Sequence, residues 1–171
     1  MSEPARDRVV VPEGYGVPET DDGLLEWVAV EGRLKESLHY WMATTRPNGK
    51  PHVVPRWGVW VDGRMWYDGA PDTVHVKNLN NDTSCVLHLE DGRQAVIVEG
   101  RSVAARPPGL VFGGKLSEAM SSKYGELGYS PGPDSWQGED SGGLRVFTPV
   151  KAMAWFGFPT DVTRFSFRVS L

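Results

Sequence analysis

Three dipeptides constrain this chain more than anything else in it: Asn48-Gly49, Asp62-Gly63 and Asp91-Gly92 each stand between short runs rich in β-branched and aromatic residues. Asn-Gly and Asp-Gly suit two-residue hairpin turns, because both central positions of a type I′ turn need positive φ. "HYWMATT" (39–45) turns through "RPNGK" into "PHVVPRWGVWV" (51–61), which turns at Asp62-Gly63 into "RMWYDG" (64–69). We therefore expect three consecutive antiparallel strands, a meander. Pro55 interrupts the second strand; it donates nothing to a ladder, so its place is an edge, a bulge or a ligand contact. "SCVLHLE" (84–90) and "QAVIVEGRSVAA" (94–105) predict another hairpin, and "LRVFTPVKAMAWFGF" (144–158) and "TRFSFRVSL" (163–171) two final strands. Seven tryptophans in 171 residues fit the same picture, since large aromatics favour strands, cores and interfaces.

Between the strands lie helical segments. Asp21 or Asp22 is placed to cap a helix from about Leu24 to Ser37, with Leu24, Trp27, Val28, Leu34 and Leu38 as its buried stripe. "DTVHVKNLNND" (72–82) opens like a helix, and 114–129 carries Leu116, Met120 and Tyr124 four residues apart. Residues 130–143 read as a loop too polar and glycine-rich to pack. The expected architecture is mainly β: a small closed antiparallel barrel of six or seven strands, closure removing its sticky edges. One domain is expected over 23–171, preceded by a proline-rich, charged arm (1–22).

Composition narrows the partners. A net charge of −4 and a pI of about 5.6 argue against a nucleic-acid binder. A single cysteine, Cys85, excludes an intrachain disulfide and a multi-cysteine metal site; in an apolar strand it reads as a buried, inert thiol. No stretch is apolar for the roughly 20 residues a bilayer requires, and "MSEPARDRVVVPEG" does not resemble a signal peptide. A cytoplasmic protein is expected. His39, His52, His75 and His88 show no metal-binding spacing, so no metal site is expected. No nucleophile elbow, P-loop or dinucleotide fingerprint is present, and "FGGK" (112–115) is a weak phosphate loop.

The segment 72–82 is the more promising one. Thr73 brings a hydroxyl, the helix start brings free backbone N–H groups, and Lys77 brings a charge one turn later, the elements of an anion site; a plain polar surface helix would also begin this way. Its context adds weight. "YWMATTRPNGKPHVVPRWGVWVDGRMWYDG", "KNLNNDTSCVLHLEDG", "VIVEG" and the closing "FPTDVTRFSF" resemble the FMN-binding split barrels related to pyridoxamine 5′-phosphate oxidase, within them the flavin/deazaflavin oxidoreductases. The resemblance is close over 40–100, looser over the last 30 residues, and absent from 1–22 and 106–143.

It implies a six-stranded antiparallel split β-barrel with short flanking helices. It also implies a homodimer that binds FMN, or alternatively the deazaflavin coenzyme F-420, between subunits, and an oxidoreductase passing hydride to or from a small organic substrate. The ring would lie near Val54, Pro55, Arg56 and Trp57, with Trp57 as the preferred stacking partner. The phosphate would lie at Thr73, His75, Lys77 and Asn78, and Lys50, Arg56 and Lys77 would line a groove for an acidic tail. His52, Tyr124 and Arg164 are the candidates for catalytic groups. The segment 106–143 is outside the resemblance and reads as a lid or an insertion.

The chain departs from the family where the family starts its helix with Ser-Arg-Lys-x-Arg-Asn-Leu. Here Thr73-Val74-His75-Val76-Lys77-Asn78-Leu79 keeps one hydroxyl and one cation. Each lost cation is worth about 1–3 kcal/mol of charge-assisted bonding, unless Arg56 or Arg64 compensates. This departure supports an alternative reading, a non-enzymatic binder or carrier of a flavin, haem or another planar ligand. A purely structural dimer is a third.

Overall fold

The computed structural model describes residues 3–168. Nine strands and three helices follow one another as β1 (Ala5–Arg8), α1 (Trp27–Glu36), β2 (Tyr40–Thr45), β3 (Pro51–Arg56), β4 (Val59–Val61), β5 (Arg64–Asp68), α2 (Val74–Asn81), β6 (Ser84–His88), β7 (Val96–Ala104), α3 (Gly109–Tyr124), β8 (Leu144–Ala154) and β9 (Thr163–Ser166). All pairings are antiparallel. The sheet runs β1-β9-β8-β7-β6-β2-β3, and the β4–β5 hairpin joins it through β8. The class is the mainly β split barrel expected from the sequence. The expected final strand reached Leu171; residues 169–171 lie outside the described residues, as do 1–2.

The three-stranded meander is not formed. Its middle strand divides at Trp57-Gly58: β3 pairs with β2 and β4 pairs with β5, so β3 becomes a sheet edge. Gly58 explains the break. A Cβ there would meet the Met65 methyl at 2.5 Å and the Trp66 carbonyl at 2.9 Å. Its own amide donates to the Tyr124 hydroxyl (2.8 Å) and its carbonyl accepts from Lys123 (3.1 Å) instead of a neighbouring strand. Pro55 therefore lies on an edge strand, where its missing donor is tolerated.

Two cores result. The larger gathers Tyr40, Met42, Met65, Tyr67, Leu87, Val98, Phe147 and Phe165 under α1. Helix α1 starts later than expected, because the Leu25 amide is held by the Thr163 hydroxyl at 2.9 Å and Glu26 is the N-cap. Its buried stripe is Trp27, Val30 and Leu34, with Val28 and Leu38 exposed. The second core packs Leu116, Met120 and Tyr124 of α3 with Trp136, Val59 and Leu144. The segment 130–143 thus packs after all, through Trp136.

The arm is tied down as well. Residues 5–8 pair with β9, and the buried Arg8 side chain donates to the carbonyls of Thr20 (3.0 Å), Asp22 (2.5 Å), Thr160 (2.9 Å) and Val162 (3.1 Å). Arg8→Ala is expected to cost about 1–2 kcal/mol and to speed amide exchange around residues 20–25. Unchanged exchange would show that strand pairing alone holds this region.

Candidate functional site

The site regions expected from the sequence meet where β3 ends and α2 begins. Strand periodicity puts His52, Val54 and Arg56 on the half-buried face of β3 and Pro51, Val53 and Pro55 on its exposed face. Helix α2 packs over β2 and β3. Its N-cap, Thr73, does not cap: the hydroxyl donates to the Ala70 carbonyl at 2.7 Å. Asn78 is buried and donates to the Thr44 hydroxyl at 2.9 Å. Lys77 is exposed, 3.4 Å from Asp72.

His75 points inward. It is 2% exposed, its ring 6.3 Å from Tyr67, and its Nε2 is buried without a hydrogen-bond partner among the described residues. Burial, then the charges of Arg56, Arg145 and His52, push its pKa down to about 4. At neutral pH it is an uncharged packing residue. Of the four side chains expected at a phosphate, two therefore serve the interior and one bonds its own turn. Lys77 and the N–H groups of the first turn of α2 remain.

Trp57 is half-exposed and lies flat on Tyr124 (centroids 4.7 Å apart, planes 9° apart), with Nε1 donating to His39 Nε2 at 3.3 Å. Arg56 crosses toward Asp68, donating from Nη2 to its main-chain carbonyl. The Asp68 carboxylate accepts from Trp136 Nε1 at 2.9 Å and from the Tyr129 hydroxyl. A cavity of about 310 Å³ opens among Pro55, Arg56, Trp57, Asp68, Met120 and Tyr129. The 106–143 segment therefore forms one wall of the space beside the expected ring site. Asp68 carries no signal in the sequence; Trp136 stands with Tyr124 and Tyr129 among the glycines of 113–136, a segment expected as a lid or a surface decoration, and the structure buries it in the second core.

The three catalytic candidates fare differently. Tyr124 is fully buried, its hydroxyl shared among Gly58 and the Leu38 carbonyl, and burial pushes its pKa up to about 12. That makes it a structural bolt between α3 and the break in the strand. Arg164 forms a two-pronged pair with Asp7 on β1, Nε–Oδ1 2.8 Å and Nη2–Oδ2 2.5 Å. His52 is half-buried, 3.5 Å from the Thr44 hydroxyl. Cys85 is buried, with its thiol pushed up to about 12 chiefly by burial, which matches the inert reading. Among the described residues no group of three His, Cys, Asp or Glu could hold a metal ion, and no helix is long and apolar enough to cross a membrane.

Residues 28–155 match the family model described as pyridoxamine 5′-phosphate oxidase. No curated protein matches the sequence significantly. Similar solved structures include an F-420 reductase, 20% identical over 83% of this chain and 98% of that one, with a TM-score of 0.51. A haem-binding protein from Mycobacterium smegmatis is 14% identical over 81% of this chain and 57% of its own, at 0.60. An FAD-binding protein from Mesorhizobium loti is 15% identical over 84% and 96%, at 0.54. At such identities the likeness is one of fold.

Proposed function

The chain belongs to the pyridoxamine 5′-phosphate oxidase family, and from that premise we propose a flavin- or deazaflavin-dependent oxidoreductase acting on a small organic substrate, working as a homodimer. The observation that carries this reading is the end of β3. There Pro55 leaves an edge unpaired, and Trp57, fixed flat by Tyr124, borders a cavity beside it. A tricyclic ring needs close backbone approach and an aromatic wall, and Val54, Pro55, Arg56 and Trp57 offer both. The free edge of β3 supports a second subunit as the other wall.

The phosphate end fits less well. Lys77 and the first-turn N–H groups of α2 would hold an anion there, with Thr73 beside them; His75 and Asn78 are committed to the interior. FMN is the first choice of cofactor and coenzyme F-420 the second. When bound, the cofactor supplies the hydride chemistry, and the protein supplies position and exclusion of water. Tyr124 holds the strand break, and Arg56 with Asp68 sets the polarity next to the ring.

Titration of the purified protein with FMN and with coenzyme F-420 tests the reading. Saturable binding of one, at micromolar levels or tighter, is expected. Lys77→Ala should weaken it roughly tenfold and Val74→Arg, at a half-exposed position on the first turn, should tighten it by about as much, each near 1.4 kcal/mol. Thr73→Ala should change little, because its hydroxyl is spent on Ala70. Binding of neither cofactor would defeat the proposal.

A second reading, a carrier of a flavin, haem or other planar ligand, is favoured by one observation: Tyr124 and Arg164 are both locked by other partners and offer no free acid or base. Bound ligand with no hydride transfer to any acceptor tested would favour it.

A further inference from the structure

We infer that Trp57, Tyr129 and Asp68 form a one-electron relay: the half-exposed indole is oxidised first, and the oxidising equivalent passes to Tyr129 as its phenol proton passes to Asp68. The inference needs no bound cofactor and stands apart from the oxidoreductase reading. Trp57 is the most exposed of the seven tryptophans. A small one-electron oxidant in solvent, such as an inorganic radical, therefore meets it before the others. Its Nε1–H already donates to His39 Nε2, which is an acceptor for the proton that an oxidised indole sheds. Two tyrosines lie beside it, with ring centroids at 4.7 Å for Tyr124 and 6.3 Å for Tyr129. An electron crosses between such neighbouring rings without a further carrier.

The partner of each hydroxyl decides which phenol gives up the electron. A phenol that loses an electron becomes a strong acid, so it is a good electron donor only where a base stands ready for its proton. The Tyr124 hydroxyl faces the Leu38 and Gly58 carbonyls and the Gly58 amide, and none of these takes a proton at neutral pH. The Tyr129 hydroxyl donates to one oxygen of the Asp68 carboxylate, whose other oxygen is held by Trp136 Nε1 at 2.9 Å. An ionised carboxylate is both an acceptor and a base. Burial, and then the bond to Asp68, push the Tyr129 pKa up, so the phenol keeps its proton until it is oxidised. The steps balance. The oxidant takes one electron from Trp57, and the indole N–H proton moves to His39. Tyr129 then gives one electron to Trp57 and its proton to Asp68, while His39 returns the first proton to the indole nitrogen. The product is a neutral Tyr129 radical beside a protonated Asp68. One electron from a small reductant of the ascorbate class, with the proton returned by Asp68, restores the phenol.

The test is pulse radiolysis of the full chain in azide solution, without added cofactor, with the azidyl radical as the oxidant. Tryptophanyl absorption is expected to appear first and to decay as tyrosyl absorption rises, at a rate independent of protein concentration. Tyr129→Phe, which removes a single hydroxyl, should abolish that rise, and so should Trp57→Phe. Asp68→Asn leaves a polar group beside the phenol but no base; the rise should be largely lost while the tryptophanyl signal remains. Melting curves confirm that each variant folds. Absence of the tyrosyl rise in the wild type would overturn the inference, as would a rise that persists in Tyr129→Phe and disappears in Tyr124→Phe.

Discussion

Replacing Trp136 with alanine is expected to destabilise the protein by about 3–5 kcal/mol, and to expose residues 130–143 to proteolysis. The indole is 2% exposed, packed with Val59, Leu116, Met120, Tyr124 and Leu144. It is the anchor by which a glycine-rich loop closes over α3. The approach is tight: a Cβ on Gly113 would stand 2.2 Å from the Pro133 carbonyl. Truncation removes the largest group of the second core and also strips one of the two donors from the Asp68 carboxylate. That carboxylate then needs water or Arg56, which changes the polarity of the cavity beside Trp57. Urea unfolding measures the loss, and limited proteolysis locates it. A loss under about 1 kcal/mol, with the loop still protected, would mean that α3 alone holds the segment and that Trp136 is replaceable filler.

The turns and strands were legible because their signals are local. Asn48-Gly49 and Asp62-Gly63 join the strands they were expected to join, but only Asp62-Gly63 has the positive φ at both positions that a type I′ turn needs; at Asn48-Gly49 only Gly49 does, and Asp91-Gly92 has it at neither and lies in a longer connection between His88 and Val96. What the sequence hid was tertiary. The division of 51–61 into β3 and β4 depends on Met65 and Trp66 crossing against Gly58 and on Tyr124 capturing its amide, a residue 66 positions away. No alternation of polar and apolar residues reports that. Likewise, 130–143 is polar and glycine-rich throughout, and it is buried chiefly at Trp136 and Ser141. At the candidate site, Pro55 and Trp57 sit where their residue types suggested, on an edge and half-exposed. His75 and Asn78 do not, because a helix start says nothing about which way its side chains face once the helix lies on a sheet.

His75 gives the second large effect. Its folded pKa is about 4, lowered first by burial and then by the charges of Arg56, Arg145 and His52, against about 6.5 in an unfolded chain. Between those values the unfolded state binds the extra proton, so stability rises with pH there. The contribution is complete above about pH 6.5 and is lost as pH falls toward 4, by up to about 3 kcal/mol. The difference in unfolding free energy between the wild type and His75→Gln, followed from pH 7.5 to pH 4, isolates this residue from all other titrating groups. The wild type should lose about 3 kcal/mol more than the variant over that range. Parallel curves would mean that His75 titrates normally, reaches solvent, and is free to carry a proton to a bound phosphate near pH 6. The same measurement therefore decides what replaced the family's second helix-start cation. A buried neutral ring leaves Lys77 as the nearby charge on this helix, and a cofactor phosphate bound there, as proposed, would be held chiefly by one lysine and the backbone of α2. A titrating ring would restore the lost charge in mild acid, and cofactor affinity would rise as pH falls.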